Sequence, residues 1–292
     1  MTVAIVGGLL AAVSFAISTL VSARASRLTG APVTVAGAML TGLLILLPVA
    51  VLTVPSSASD FALADLAGAA AAGGANVVGL LLAYSAYRLG AVGVVSTIAS
   101  TEGAIAAAIA VLAGERLAPG MGPLLALIAA GVVVTAAGGG REREEGVVVG
   151  RERSLQAAAM AAVAATMFGT GLYLTGLVSG SLPLPWVLLP GRVVGVVVVG
   201  IPVLVLGRSR IVRRALPFVI VCGIVEITGF TAFAIGARVD IATTSVLASM
   251  FAPMAALAAF VLFGERLARL QVAGIALVVG GVALLGAAGG VG

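Results

Sequence analysis

The sequence predicts an all-α integral membrane protein with ten transmembrane helices, arranged as two inverted five-helix repeats. Three observations support this: an apolar composition, ten apolar runs of membrane-spanning length, and a tetrapeptide that occurs twice. Hydrophobic residues make up 61% of the 292 residues, charged residues make up 9%, and the mean hydropathy is +1.26. These values lie far outside the range of soluble domains.

The apolar runs account for nearly the whole chain. A helix needs about 20 apolar residues to cross the roughly 30 Å hydrocarbon core of a bilayer. Ten runs meet this requirement: 2–22, 34–54, 65–87, 91–113, 119–138, 155–177, 184–206, 214–236, 241–263 and 268–290. We therefore expect no attached soluble domain. With no His and with Cys222 alone inside an apolar run, we expect no disulfide, metal or other cofactor.

The tetrapeptide Gly-Glu-Arg-Leu occurs at Gly114–Leu117 and again 150 residues later at Gly264–Leu267. Between residues 101–118 and 251–268, nine of eighteen positions are identical. The chain is therefore interpreted as a tandem duplication. The predicted units are a first repeat over 1–140, a charged connecting loop over 141–154 and a second repeat over 155–292.

The odd number of spans in each half determines how the halves are related. If each repeat crosses the membrane five times, the second repeat enters from the opposite side. The two halves then form an inverted repeat, an arrangement that many transporters use to alternate access to a midplane site.

The net charge of +5 comes from sixteen Lys and Arg, all of them Arg, against eleven acidic residues. The arginines lie mostly between apolar runs, which favours anionic lipid headgroups over nucleic acid as their partners. Thirteen fall in one alternating set of connections, and the other set holds Arg116 and Arg238. The positive-inside rule then places both termini outside the cell.

The repeated block, an apolar helix, Gly-Glu-Arg-Leu and a Gly-rich apolar helix, resembles the EamA-type branch of the drug/metabolite transporter superfamily. Thr101-Glu102-Gly103 through Leu117 and Ala252-Pro253 through Leu267 carry the match. Pro185 followed by Arg192 is also similar to the motif at the start of the family's second repeat helix. Gly103 departs from the pattern, because the family usually has Pro there.

The resemblance implies a secondary carrier for small metabolites in the cell (inner) membrane, with spans 3, 4, 8 and 9, together with 1 and 6, around a central cavity. It also implies cytoplasmic termini, which conflicts with the arginine distribution, so the orientation stays open. An enzyme is not expected, since the chain has no phosphate-binding Gly-Lys-Ser/Thr loop and no His. The alternative from a different class is a membrane scaffold or a lipid scramblase.

The duplicated motif has two interpretations. Glu115 and Arg116, like Glu265 and Arg266, follow a glycine (Gly114, Gly264) between two spans. The carboxylate can cap the helix that begins there, which is a structural role. Alternatively, the two copies act as gates that exchange ion-pair partners on opposite membrane faces.

Three ionisable residues fall within predicted spans: Glu102 in span 4, Arg192 in span 7 and Glu226 in span 8. A charge in the bilayer costs at least roughly 2.5–3.5 kcal/mol, so such residues face a cavity or a partner. One alternative is substrate or proton binding by a glutamate, which favours a cationic or zwitterionic substrate. The other is an ion pair of Arg192 with Glu226 or Glu102 that only holds helices together.

Further candidates for binding a small-molecule substrate lie on the same spans: Asn76, Tyr84 and Tyr87 in span 3, Thr101 in span 4 and Phe230 in span 8. Tyr84 and Tyr87 are three residues apart, so a helix places them on one face.

Overall fold

The computed structural model describes residues 1–54, 62–89, 95, 98–117, 119–142, 151–207, 212–254 and 269–289. Throughout these residues the regular secondary structure is helical, with α1 (Thr2–Thr29), α2 (Ala31–Leu52), α3 (Leu63–Leu89), α4 (Glu102–Leu112), α5 (Met121–Glu142), α6 (Arg151–Ser179), α7 (Leu184–Val205), α8 (Leu216–Ala237), α9 (Ile241–Ala248) and α10 (Arg269–Gly289). Helix α7 changes to π-helical geometry over Val196–Gly200. This segment ends beside Pro202, which has no N–H group for the regular hydrogen-bond ladder.

Six helices in the described chain are long and apolar enough to cross a membrane: α1, α2, α3, α7, α8 and the part of α6 from Leu155. Shorter apolar helices cover Glu102–Leu112, Met121–Thr135, Ile241–Met254 and Arg269–Val282. The prediction of a multi-pass helical membrane protein is confirmed. The number of ten crossings and the inverted arrangement stay predictions.

Helical structure extends into both ends of the charged segment predicted over 141–154. Helix α5 continues through Glu142, and α6 begins at Arg151. Arg and Glu are good helix formers, so charge alone does not end a helix at a membrane surface. Residues 143–150 lie outside the described part of the chain.

Helix pairing is reciprocal between the two halves. Helix α1 packs along α8, and α6 packs along α3; helices α2 and α7, α4 and α9, and α5 and α10 pair with each other. If α1 to α5 are exchanged with α6 to α10 in the same order, the set of pairs stays the same. The pattern supports the two related halves inferred from the duplicated motif.

The fourth and ninth predicted spans are both interrupted. Turns at Ser100–Thr101 and Ser249–Met250 separate α4 and α9 from the helical residues on their other side. The two turns are about 150 residues apart, the same offset as the motif. Near them Gly103 contacts α9, and a Cβ at this position would lie 2.6 Å from Cβ of Ser249. Gly103 thus has a packing reason for departing from the family's Pro.

Candidate functional site

A cavity of about 70 Å³ lies between α1, α3, α6, α8 and the interrupted fourth span. It brings together six of the eight predicted binding residues: Asn76, Tyr84, Tyr87, Glu102, Glu226 and Phe230. Both halves of the sequence therefore contribute to one small, buried site.

Helix α3 presents one face to this cavity. Asn76, Leu80, Ala83, Tyr84 and Tyr87 line it at spacings of three and four residues, as one face of a helix requires. The rings of Tyr84 and Tyr87 stack with centroids 6.3 Å apart and planes inclined at 26°. The predicted shared face of the two tyrosines is confirmed.

Glu226 is the centre of a buried polar network. Its Oε2 accepts a hydrogen bond from Nη1 of Arg192 at 2.8 Å, and its Oε1 accepts one from the hydroxyl of Tyr84 at 3.2 Å. The thiol of Cys222, one turn earlier on α8, lies 3.7 Å from the same Oε1. Arg192 and Glu226 are only 3% and 2% exposed. The predicted ion pair therefore forms, and it forms with Glu226.

Arg192 itself lines a second, smaller cavity rather than the first. That space, about 20 Å³, also contacts Met39, Asn76 and Phe230, and Nη1 of Arg192 lies 3.2 Å from Sδ of Met39. The guanidinium carbon is 5.6 Å from the ring centroid of Phe230, a distance that allows a cation–π interaction. Phe230 in turn contacts Phe15 edge to face at 5.1 Å. Asn76 and Phe230 line both cavities, so they lie at the boundary between them.

Glu102 is buried, and the described part of the chain places no counter-ion beside it. It is 6% exposed, lines the larger cavity and is the first residue of α4. Within the described residues, no hydrogen bond or ion pair joins its carboxylate to another side chain. A helix N-terminus stabilises an anionic carboxylate through its free N–H groups, which offsets part of the burial cost.

The remaining candidate, Thr101, lies beside the cavity but does not line it. Its hydroxyl donates to the carbonyl oxygen of Ile98 at 2.8 Å, across the interruption of the fourth span. Its position thus indicates a role in the turn, and its predicted contact with substrate stays a prediction.

Sequence reasoning did not name the residues of α1 that line the cavity. Phe15, Ser18, Thr19 and Ser22 face it, and Oγ of Ser18 lies 3.5 Å from Sγ of Cys222. A signal was present, because serines recur every four residues along this otherwise apolar helix, at Ser14, Ser18, Ser22 and Ser26. All four are buried.

The first copy of the duplicated motif forms a helix-terminating turn. Gly114 has φ of +103°, a conformation that favours glycine, and the amide of Glu115 donates to the carbonyl of Ala110. Oε1 of Glu115 accepts a hydrogen bond of 2.7 Å from the amide of Ile241. The carboxylate therefore caps α9 in the other half, and the expectation that it caps the next helix in sequence is wrong.

The reason is tertiary: the start of α9 lies against the end of α4, where Asp240 also caps α9 by accepting from the amide of Thr243 at 2.6 Å. Burial raises the pKa of Glu115, the amide of Ile241 opposes this rise, and the nearby charge of Asp240 adds to it. Arg116 is exposed beside the turn. Gly264, Glu265 and Arg266 of the second copy lie outside the described residues.

Apolar helices of spanning length around an internal cavity define a multi-pass membrane protein. Residues 2–137 match the model of the EamA-like transporter family, which confirms the resemblance predicted from the sequence. This stretch, a little under half of the chain, is therefore similar to that family.

A comparison with solved structures covers both halves of the chain. A crystal structure of a protein with 20% sequence identity matches with a TM-score of 0.72, over 98% of this chain and 96% of that protein's chain. At this identity the likeness shows the fold alone. A comparison with curated proteins yields no match.

Proposed function

We propose that this protein is a secondary-active carrier that exports a small metabolite (an amino acid, an amine or a drug-like compound) across the cell (inner) membrane. The main support is the buried cavity, to which both halves of the chain contribute ionisable side chains, Glu102 from α4 and Glu226 from α8. Charged groups inside a membrane protein mark substrate or ion pathways, because their burial is otherwise costly.

The proposed mechanism is alternating access, with two inverted halves moving about this cavity. The Arg192–Glu226 pair and Phe230 separate the larger cavity from the smaller one. Substrate passage between them requires the pair and the Phe15–Phe230 contact to rearrange. Proton coupling through a cavity carboxylate is part of this proposal, because the same group can bind either a proton or a cationic group.

Counterflow in proteoliposomes tests the proposal. Vesicles with purified protein are loaded with an unlabelled amino acid, amine or nucleoside and placed in the labelled compound, with and without a pH gradient. A carrier accumulates label transiently, and protein-free vesicles do not. Redistribution of a fluorescent lipid between leaflets, without solute counterflow, would instead establish a scramblase. If the protein shows neither counterflow nor lipid scrambling, the scaffold alternative remains.

A further inference from the structure

We propose, resting on the carrier function above, that the central site selects organic monocations and that the carboxylate of Glu102 is their counter-ion. Among the described residues, Arg192 is paired with Glu226, so the three buried charges reduce to one ion pair and one carboxylate without a counter-ion. Among the described residues that line the larger cavity, the two acids are accompanied by no basic side chain.

The surroundings of Glu102 fit an ammonium group. Aromatic rings of Phe15, Tyr84, Tyr87, Phe168, Phe230 and Phe251 line the same cavity. The faces of such rings attract cations, and the attraction strengthens where water is excluded. The hydroxyls of Ser18, Thr19 and Ser22 supply oxygen acceptors for the N–H groups of an ammonium ion.

The same arrangement disfavours other ligand charges. An anion or the carboxylate end of a zwitterion would need a cation, but Arg192 is not part of this cavity's lining and its Nη1 already donates to Glu226. With a neutral ligand, the carboxylate of Glu102 would either stay charged without a partner, a costly state, or have to bind a proton. A monocation satisfies the carboxylate and introduces no further unpaired charge.

The test is ligand-induced thermal stabilisation of the purified protein in detergent, using compounds of similar size but different charge: butylammonium, 1-butanol, butyrate and the zwitterion 4-aminobutyrate. A ligand that binds the folded state raises its unfolding temperature. We expect stabilisation by butylammonium alone. Glu102→Gln keeps the shape of the side chain and should weaken this binding at least about tenfold, as the loss of a charged hydrogen-bond partner does.

Asp65→Asn is the matched control, since it makes the same chemical change in the first turn of α3, away from the cavity lining. It should leave butylammonium binding unchanged. Glu102→Gln removes an unpaired buried charge, so it should fold at least as well as the wild type.

Equal stabilisation of wild type and Glu102→Gln by butylammonium would overturn the role of Glu102. Stabilisation by the alcohol, butyrate or 4-aminobutyrate, with none by butylammonium, would overturn the monocation preference. In the latter case, counterflow of those compounds in proteoliposomes would still uphold the carrier function. Absence of both stabilisation and counterflow for every compound, together with lipid scrambling, would overturn the carrier function as well.

Discussion

Arg192 and Glu226 are two charged residues whose burial depends on their mutual contact. Both are almost fully buried, and a single contact of 2.8 Å joins them across α7 and α8. Their presence within predicted spans was evident from the sequence, and so was the possibility that they pair. The choice of Glu226 over Glu102 was not, because it depends on how α7 packs against α8 and not on any local pattern.

Removing only one partner of the Arg192–Glu226 pair should destabilise the folded protein strongly. Arg192→Gln and Glu226→Gln each leave a buried charge uncompensated, and each should lower the free energy of unfolding by about 3–5 kcal/mol. The double variant should lose clearly less than the sum of the two, because neither charge then remains. Denaturant unfolding of the detergent-solubilised protein measures all three. Strictly additive losses would show that the pair is not energetically coupled.

At the scale of helices, most of the spans could be predicted from hydropathy, whereas the interruptions could not. The sequence predicted continuous spans over 91–113 and 241–263, but the described parts contain turns at Ser100–Thr101 and Ser249–Met250. Serine and threonine in apolar runs are ordinary within membrane helices, so hydropathy does not mark these turns. Only their recurrence at about the 150-residue offset connects them with the duplication.

Close contact between α4 and α9 should be sensitive to one methyl group. In Gly103→Ala the new Cβ would collide with the carbonyl oxygen of Ser245 and the side chain of Ser249. We expect a loss of about 1–3 kcal/mol in unfolding free energy, as for overpacked cores, and weaker ligand binding in the adjacent cavity.

Gly74→Ala on α3 is the matched control for Gly103→Ala. The nearest atom to its added Cβ, Cγ1 of Val194, is 4.0 Å away, an ordinary contact. It should therefore be neutral or stabilising by up to about 1 kcal/mol, because alanine favours the helix over glycine. If both variants melt at the wild-type temperature, the packing reason for Gly103 is wrong.

At the scale of the whole molecule, the grouping of the candidate residues followed from the duplication and the resemblance, because together they indicated which helices meet. The contact between the motif and the opposite half did not follow. Glu115 caps Ile241, more than one hundred residues away in the chain, and no local pattern encodes that contact. It joins the first half to the second at one end of the helix bundle.

If the halves are inverted repeats, the second motif should make the equivalent contact on the other membrane face. Glu115→Ala and Glu265→Ala should then have similar effects. Loss of a helix cap costs roughly 0.5–2 kcal/mol, enough to lower the amount of folded protein in the membrane several-fold while leaving ligand affinity unchanged. Glu152→Ala, in the exposed first turn of α6, is the control and should have no effect.

Quantitative immunoblotting of membranes, combined with counterflow per molecule of protein, separates the two interpretations of the motif. Equal losses of abundance with normal counterflow would support two structural caps related by the repeat. Normal abundance with abolished counterflow would support gating instead. An effect of Glu115→Ala without one of Glu265→Ala would show that the two motifs share their sequence but not their role, because a symmetric pair of caps cannot lose stability at one face only.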